Sequence, residues 1–450
     1  MSGSPDGIYE TGVIDPGIPV GHPSKPFWHP QPSNIHQVRS QWVDTADIVI
    51  IGSGITGMSI ARTLYSKRPG LKIVMVEARD ICSGATGRNG GHIKVMSYNV
   101  WLERKRRFGI EEAVRWTEFE HSHLEEMAAY VKDNEIECDL ELQEGVDAYF
   151  DTTTLQKAIR SLQDMKDHAP TLASQYIIYS AKEAASRFQC ADCCVGAIGI
   201  PSAALWPYKL VASLLEKLMV NEGLMVQTNT KALSVTDIDG EDFGTVVTDR
   251  GSIRATHIIH ATNGWIGHLN PELRPFISPV RGNVVVQLPS PSTLRLGNTF
   301  WMRYGEKVYD YLIQRPAGEL IIGRANLGLK ATGDDSSIDP LTYAHLGGIL
   351  PKILKLGDHR TELTCAWSGI LGFTQDGNPF VGRLAGYKKS HQWVCGGYQG
   401  IGMIKAFRTA EILAMLVLGE EVPFQYPRTM LVNDARMQAL DSSLKTTSKC

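Results

Sequence analysis

The residues able to do chemistry crowd into a few short stretches of this 450-residue chain. Gly52-Ser53-Gly54-Ile55-Thr56-Gly57 follows an apolar run at 46–51 and precedes a helical pattern at 58–67. A second apolar run, 71–76, ends at Glu77, twenty residues beyond Gly57. Strand, glycine turn, helix, strand and acid, in that order, form a dinucleotide-binding fingerprint. Gly52 allows the tight turn, Gly54 lets the backbone approach a pyrophosphate, and Gly57 lets the helix pack close to the sheet. The helix start offers N–H groups and a partial positive charge to phosphates. Glu77 is placed to accept from an adenosine ribose. After it, where a nicotinamide domain would continue into helix and strand, Cys82-Ser-Gly-Ala-Thr-Gly-Arg-Asn-Gly-Gly-His92 can lay N–H groups, hydroxyls and Arg88 along a pyrophosphate and the ring beyond.

The elements around these stretches alternate in character. Residues 46–51, 71–76, 224–228, 232–238 and 253–260 read as strands, and 210–221 as a helix closed at Gly223. Apolar residues three and four apart predict helices over 101–108, 110–135, 154–165 and 181–188, with strands at 146–150 and 176–179. His121 and His123, two apart on one helix, cannot share a face and are expected to be solvated. From 279 to 323 the pattern becomes alternating strands (280–288, 299–304, 307–315, 319–323) joined by Gly and Pro turns, followed by a helical return over 341–356. Four glycines within 396–402 let a loop pass a planar ring, and a long helix, 403–418, follows. Its N-terminal dipole would favour negative charge there.

The segment Gly84-Ala-Thr-Gly-Arg-Asn-Gly-Gly91 resembles the G-[AS]-[ST]-G-R-N-G-G element of the D-amino-acid-oxidase superfamily of FAD-dependent oxidoreductases, in the branch of γ-glutamylputrescine oxidase-like and fungal amine oxidases. Ala261-Thr262-Asn263-Gly264 resembles its second flavin-side motif, and Trp367 to Gly382 its W-x-G…T-x-D-x-x-P-x-[IV]-G element. The resemblance spans about 47–419. It implies an α/β chain (α+β overall): a Rossmann-like FAD-binding domain with an inserted antiparallel-sheet substrate domain. The implied parts are an N-terminal extension (1–44), a discontinuous FAD domain (45–100, 200–268, 364–425), a cap (101–199, 269–363) and a C-terminal tail (426–450).

The cofactor contacts this implies are Gly52, Gly54, Ile55, Thr56 and Gly57; Glu77, Ala78 and Arg79; Ser83, Gly84, Thr86, Gly87, Arg88, Asn89 and Gly90; Ala232 and Leu233; Ala261, Thr262 and Gly264; Gly369; and Gly397, Gln399, Gly400, Ile401, Gly402 and Met403. Some relatives attach FAD to a cysteine near the T-x-D element; the aligned position is Gly369, and Cys365 falls too early, so the FAD is expected to be non-covalent. Lys405 is out of register with the lysine that holds substrate carboxylates in those relatives. His92 and Lys94 stand where a basic residue faces the flavin and are the candidates for oxygen activation or carboxylate binding. Trp367 and Tyr398 join them as candidate catalytic groups. Tyr304, Tyr309, Tyr311 and Gln399 are candidates for the substrate pocket, where an aromatic wall suits an amine; each ring would serve equally well as core filler.

The implied reaction is hydride transfer from a carbon bonded to nitrogen to flavin N5, with molecular oxygen as acceptor and hydrogen peroxide as product. The alternatives are a flavin dehydrogenase or cyclising oxidase with another acceptor and, in a different class, a flavin-fold binding protein without catalysis. A net charge of −3 gives no reason to expect nucleic acid or an anionic membrane as partner. No apolar run reaches membrane-spanning length. Eight cysteines do not imply a disulfide framework, and Cys190, Cys193 and Cys194 read as small buried thiols rather than metal ligands. No metal is expected. Residues 1–43, rich in Pro, Gly and Ser, read as an extension draped over the surface by Phe27 and Trp28. Ser448-Lys449-Cys450 resembles a peroxisomal S-K-L address with its last residue altered; cytoplasm is the expected location and the peroxisome the alternative.

Overall fold

The computed structural model describes residues 14–29, 32–237, 240–325, 331–384 and 390–447, so the terminal Ser448-Lys449-Cys450 lies outside the described residues. Two sheets organise them. In the first, strands run in the order Phe380–Arg383, Gln392–Gly396, Gly251–His260, Thr45–Ile51, Ile73–Val76 and Met225–Gln227. Thr45–Ile51 lies at its heart, parallel to Gly251–His260 on one side and Ile73–Val76 on the other. Ile48, Val49, Ile50 and Ile51 are all buried, which is why this strand reads as a continuous apolar run. The helices Ile55–Lys67 and Ala406–Val417 pack together, tied by Arg62 to Glu411 at 2.7 Å. Residues Ala232–Thr236 and Gly244–Thr248 extend this sheet antiparallel from Gly251–His260.

The second sheet has nine strands: eight run from Arg360–Thr374 through Ile277–Ser290, Leu320–Ala325, Tyr309–Gln314, Thr299–Arg303, Glu141–Tyr149 and Gly196–Ala204 to His92–Lys94, and Ile177–Ser180 also pairs with Gly196–Ala204. Its pairs are antiparallel except one: Thr299–Arg303 runs parallel to Glu141–Tyr149. Those strands come from distant parts of the chain, so no hairpin constrains their direction. His92–Lys94 and Gly196–Ala204 both belong to this sheet and pair with each other.

Several local expectations shift. Gly196–Ala204 is a strand although seven of its nine residues are Gly, Ala, Ser or Pro; cross-strand pairing outweighs their weak β-propensity. The helical return divides into Pro340–Gly348 and Leu350–Ile353. A helix, Asp434–Thr447, occupies the expected tail. His121 and His123 are not solvated: both are buried, because the helix Ile110–Asp133 is covered on more than one side. His121 bonds the Tyr176 hydroxyl at 2.8 Å and His123 the Met403 carbonyl at 3.1 Å. Cys190 and Cys194 are buried, whereas Cys193 is exposed.

The N-terminal segment is inserted rather than merely draped. Trp28 is 0% exposed. Its indole N–H donates to the Asn89 carbonyl at 2.6 Å, and its own carbonyl accepts from the Trp206 indole at 2.9 Å. Replacing it, Trp28→Ala, should cost about 3–5 kcal/mol of stability, as for other fully buried large rings. Chemical unfolding of the two proteins side by side measures this; a shift below about 1 kcal/mol would mean the cavity closes on itself.

Candidate active site

The cleft begins where the central strand Thr45–Ile51 ends. Gly52 turns the chain with φ +109°, and a Cβ there would stand 2.8 Å from the Ala261 carbonyl oxygen. A Cβ on Gly57 would collide with the Gly52 carbonyl, and one on Gly54 would sit 3.0 Å from Thr86 Oγ1. The helix Ile55–Lys67 starts at Gly54 with no side-chain cap and no acid in its first turn. Apart from the Ile55 N–H, which Thr86 takes, the N–H groups of its first turn are left to a ligand in the cleft. The Ile55 N–H donates to Thr86 Oγ1 at 3.1 Å, and Thr56 Oγ1 bonds the Tyr398 hydroxyl at 3.0 Å. Glu77 accepts from the Ser53 N–H and hydroxyl at 3.1 and 2.7 Å, and from the Arg79 N–H at 3.1 Å.

One continuous cleft joins these residues to Ala78, Arg79, Gly84, Thr86, Asn89, Ala232, Ala261, Thr262, Tyr398, Gly400, Gly402 and Met403. It lies at the carboxyl ends of parallel strands, where open α/β sheets bind their ligands. Glycines that no larger residue could replace, an uncapped helix start and a fixed carboxylate fit a dinucleotide such as FAD. Leu233 differs from its neighbour: 43% exposed, it does not line the cleft, while Ala232 does.

The flavin-side segment is held by buried charge. Arg79 and Arg88 converge on Asp335, at 3.0 and 3.3 Å, and Asp335 is 0% exposed. Both guanidiniums also donate to the Ser83 carbonyl at 2.8 Å, and Arg88 donates to the Ser368 carbonyl at 2.7 Å. Burial pulls Arg88 down to about 10, against the pull of Asp335. Arg88 therefore staples Ser83 to Ser368, and a Cβ on Gly369 would stand 2.9 Å from its own Cβ. On the far wall, Gly264 passes the Leu371 carbonyl so closely that a Cβ would stand 2.7 Å from it, and Asn263 Oδ1 accepts from the Gly397 N–H at 2.9 Å.

Beyond Asn89 the cleft gives way to two small cavities of about 30 and 50 Å³. His92 lines both. Two apart on one strand, His92 and Lys94 share a face. The His92 ring stands edge-on to Tyr311, centroids 4.6 Å apart, and its buried Nδ1 has no hydrogen-bond partner. Burial, reinforced by Lys94, pushes His92 well below 6.5, so it is neutral. Lys94 Nζ donates to the Phe300 carbonyl and lies 5.9 Å from the Trp301 ring centre. Burial pushes Lys94 well below 10.5, with Asp147 opposing and Arg303 assisting. Behind it, Arg303 and Asp147 form an ion pair at 2.6 Å, and the Tyr98 and Tyr149 hydroxyls also bond Asp147. Burial works against the Arg303 charge, but Asp147 outweighs it and holds the guanidinium above its ordinary value.

Three expected site residues face elsewhere. Trp367 lines neither cavity: fully buried, it donates its indole N–H to the Arg88 carbonyl at 2.8 Å. Gln399, at φ +57°, turns its side-chain oxygen onto the Thr374 N–H rather than into a pocket. Tyr304 points to the other side of the sheet, donating to Asp310 at 2.9 Å with its ring 5.6 Å from Phe150. Tyr398 belongs to the dinucleotide cleft, bonded to Thr56 and 3.3 Å from Cys395 Sγ. The Tyr309 ring lies tilted against Trp301, centroids 4.2 Å apart, and Tyr311 faces His92. Trp301, Met96 and Ile404, which complete the smaller cavity, were not anticipated. Trp301 pairs across the strands with Tyr311, a register that alternation along 299–303 could have suggested. Lys405 is buried 3.8 Å from Glu120, away from the cleft. A 3-10 turn, Gly402–Ile404, separates the glycine loop from the helix Ala406–Val417.

A family model described as FAD dependent oxidoreductase matches residues 47–416. The chain is 26% identical over 388 residues to "Probable oxidoreductase OrdL" of Rhizobium meliloti, covering 83% of each chain. It is 23% identical over 420 residues to "Gamma-glutamylputrescine oxidoreductase" of Escherichia coli, covering 89% of this chain and 93% of that one. The fold is that of glycine oxidase from Geobacillus kaustophilus (TM-score 0.70, 17% identity, 87% of this chain and 99% of that one).

Two substitutions probe the geometry. Gly57→Ala drives a methyl group into the Gly52 carbonyl and should weaken FAD binding about tenfold or more, read as bound flavin absorbance per protein. Asp147→Asn leaves the Arg303 charge buried without its partner and should cost about 3–5 kcal/mol in thermal or chemical unfolding.

Proposed function

The chain belongs to the family of FAD-dependent oxidoreductases, and we propose that it oxidises a C–N bond of a small amine or amino-acid-like substrate. The observation that carries this reading is the cavity beside the cleft, walled by Trp301 and Met403 and containing a neutral His92 and a buried Lys94. The names of two relatives, gamma-glutamylputrescine oxidoreductase and glycine oxidase, support the same substrate class.

An amine reaches a protein at neutral pH as an ammonium ion, whose nitrogen has no lone pair to stabilise the developing imine. A base must first remove a proton. Lys94 is suited to this, because burial favours its neutral form and Nζ is held beside the cavity by the Phe300 carbonyl. His92 Nδ1, neutral and without a partner, offers the amine an acceptor that fixes its orientation. The Trp301 and Tyr311 rings exclude water and favour the cationic form on entry. Bound FAD supplies the two-electron oxidant that takes a hydride from the carbon beside nitrogen. Molecular oxygen is the proposed final acceptor, with hydrogen peroxide as product. Non-covalent FAD is supported by the cysteines: among the described residues none lines the cleft or either cavity, and Cys365 faces the Lys25 carbonyl.

Peroxide release across a panel of amines and amino acids tests this reading; a flavin-loaded protein giving peroxide from none would overturn it. With a substrate in hand, kcat should rise with pH and level off well below 10.5, the ordinary lysine value. Lys94→Met should remove that limb and lower kcat about 10²–10⁴-fold. An unchanged profile would rule Lys94 out as the base.

A further inference from the structure

We propose that residues 14–24 form a strap that closes over the cofactor cleft and is a working part of the FAD site. This rests on the cleft's being the FAD site. The segment lies wholly before the stretch 47–416 that matches the family. Yet Gly17, Ile18 and Pro19 line the same cleft as Gly52, Glu77 and Tyr398. A surface extension without a role has no reason to occupy that position.

The strap is fixed at both ends by groups in or beside the cleft walls. At one end the Asp15 carboxylate accepts from Arg274 at 2.6 Å and bonds His268 at 2.9 Å; His268 itself lines the cleft. At the other end Ser24 donates its N–H and its hydroxyl to the Asp335 carbonyl at 2.9 and 2.8 Å. The Ser24 hydroxyl accepts from the Ser368 N–H at 2.9 Å, and its carbonyl accepts from Arg88 at 2.8 Å. One short segment thus joins the wall at His268 to the flavin-side Arg88 and to the second sheet at Ser368. Between the anchors the fit is close. A Cβ on Gly333 would collide with the Pro16 carbonyl, and one on Gly267 would stand 3.7 Å from Pro16 Cδ. Pro16 therefore passes where the absence of a side chain at Gly333 leaves room, and the residues it delivers to the cleft, Gly17, Ile18 and Pro19, carry no charge.

Such a strap must exchange stability with the cofactor. If it contacts bound FAD, it slows FAD release, and FAD in turn holds the strap down by the same free energy. The test compares full-length protein with a chain lacking 1–20, which keeps Ser24 and Trp28, and with full-length Gly333→Leu, which displaces Pro16 without shortening anything. FAD is stripped and its Kd measured by the change in flavin fluorescence on rebinding. Both variants should bind FAD about tenfold or more weakly. In the full-length protein, limited proteolysis within 14–24 should be faster without FAD than with it. Affinity within twofold of the full-length value for Gly333→Leu, with cleavage indifferent to FAD, would overturn the strap. If the shortened chain does not fold, Gly333→Leu and the cleavage rates decide. Glu77→Ala serves as the control: should it also leave FAD binding unchanged, the assignment of the cleft has failed, not the strap.

Discussion

The contact between Gly57 and the carbonyl of Gly52 is the constraint on which the rest of the site depends. It leaves no room for a side chain, so the helix Ile55–Lys67 starts directly on the end of the central strand. That closeness brings the first N–H groups of the helix to the mouth of the sheet, where Glu77 arrives from the neighbouring strand. The second sheet then has to meet this cleft at a set distance. It does so through Gly369 against Arg88 and through Gly264 against the Leu371 carbonyl, both backbone approaches that a methyl group would block.

Charge is buried at two places, one beside the cleft and one within the second sheet. Asp335 collects Arg79 and Arg88 from the flavin-side segment, and Asp147 collects Arg303 beneath the substrate-side cavity. Neither arrangement is cheap to desolvate, and each is extended by further donors: the Tyr98 and Tyr149 hydroxyls at Asp147, a two-pronged Arg79 at Asp335. Lys94 feels the second cluster from 147 and 303 alike, and His92 feels Lys94. Burial is the larger cause at both residues, and Asp147 and Arg303, which do not line the cavity, adjust Lys94 from behind.

What could be read from the sequence was local. The glycine turn, Glu77 and the helix 181–188, whose Ser180 and Glu183 make a capping box, each carry their signal within a few residues. The family resemblance extended that to the fold and the cofactor. What could not be read depends on partners far along the chain. Arg88 looks like a phosphate ligand in its motif, but Asp335 and Ser368 take its guanidinium. Trp367 looks like a catalytic candidate, but its indole is spent on the Arg88 carbonyl. His121 and His123 look solvated because spacing on one helix says nothing of how many neighbours cover it. Gly196–Ala204 shows no strand composition at all and exists because three other strands pair with it.

The positions of the Ser24 partners also bear on the order of events during synthesis. Asp335 and Ser368 lie 311 and 344 residues after Ser24. The first described stretch to leave the ribosome thus has to wait for its acceptors, which do not yet exist while the glycine turn and the strands Ile73–Val76, Met225–Gln227 and Gly251–His260 are being made. Contacts so distant in sequence are slow to form. The cleft itself is finished later still, by Tyr398, Gly402 and Met403, so the earliest described residues and the last-made wall have to find their places together.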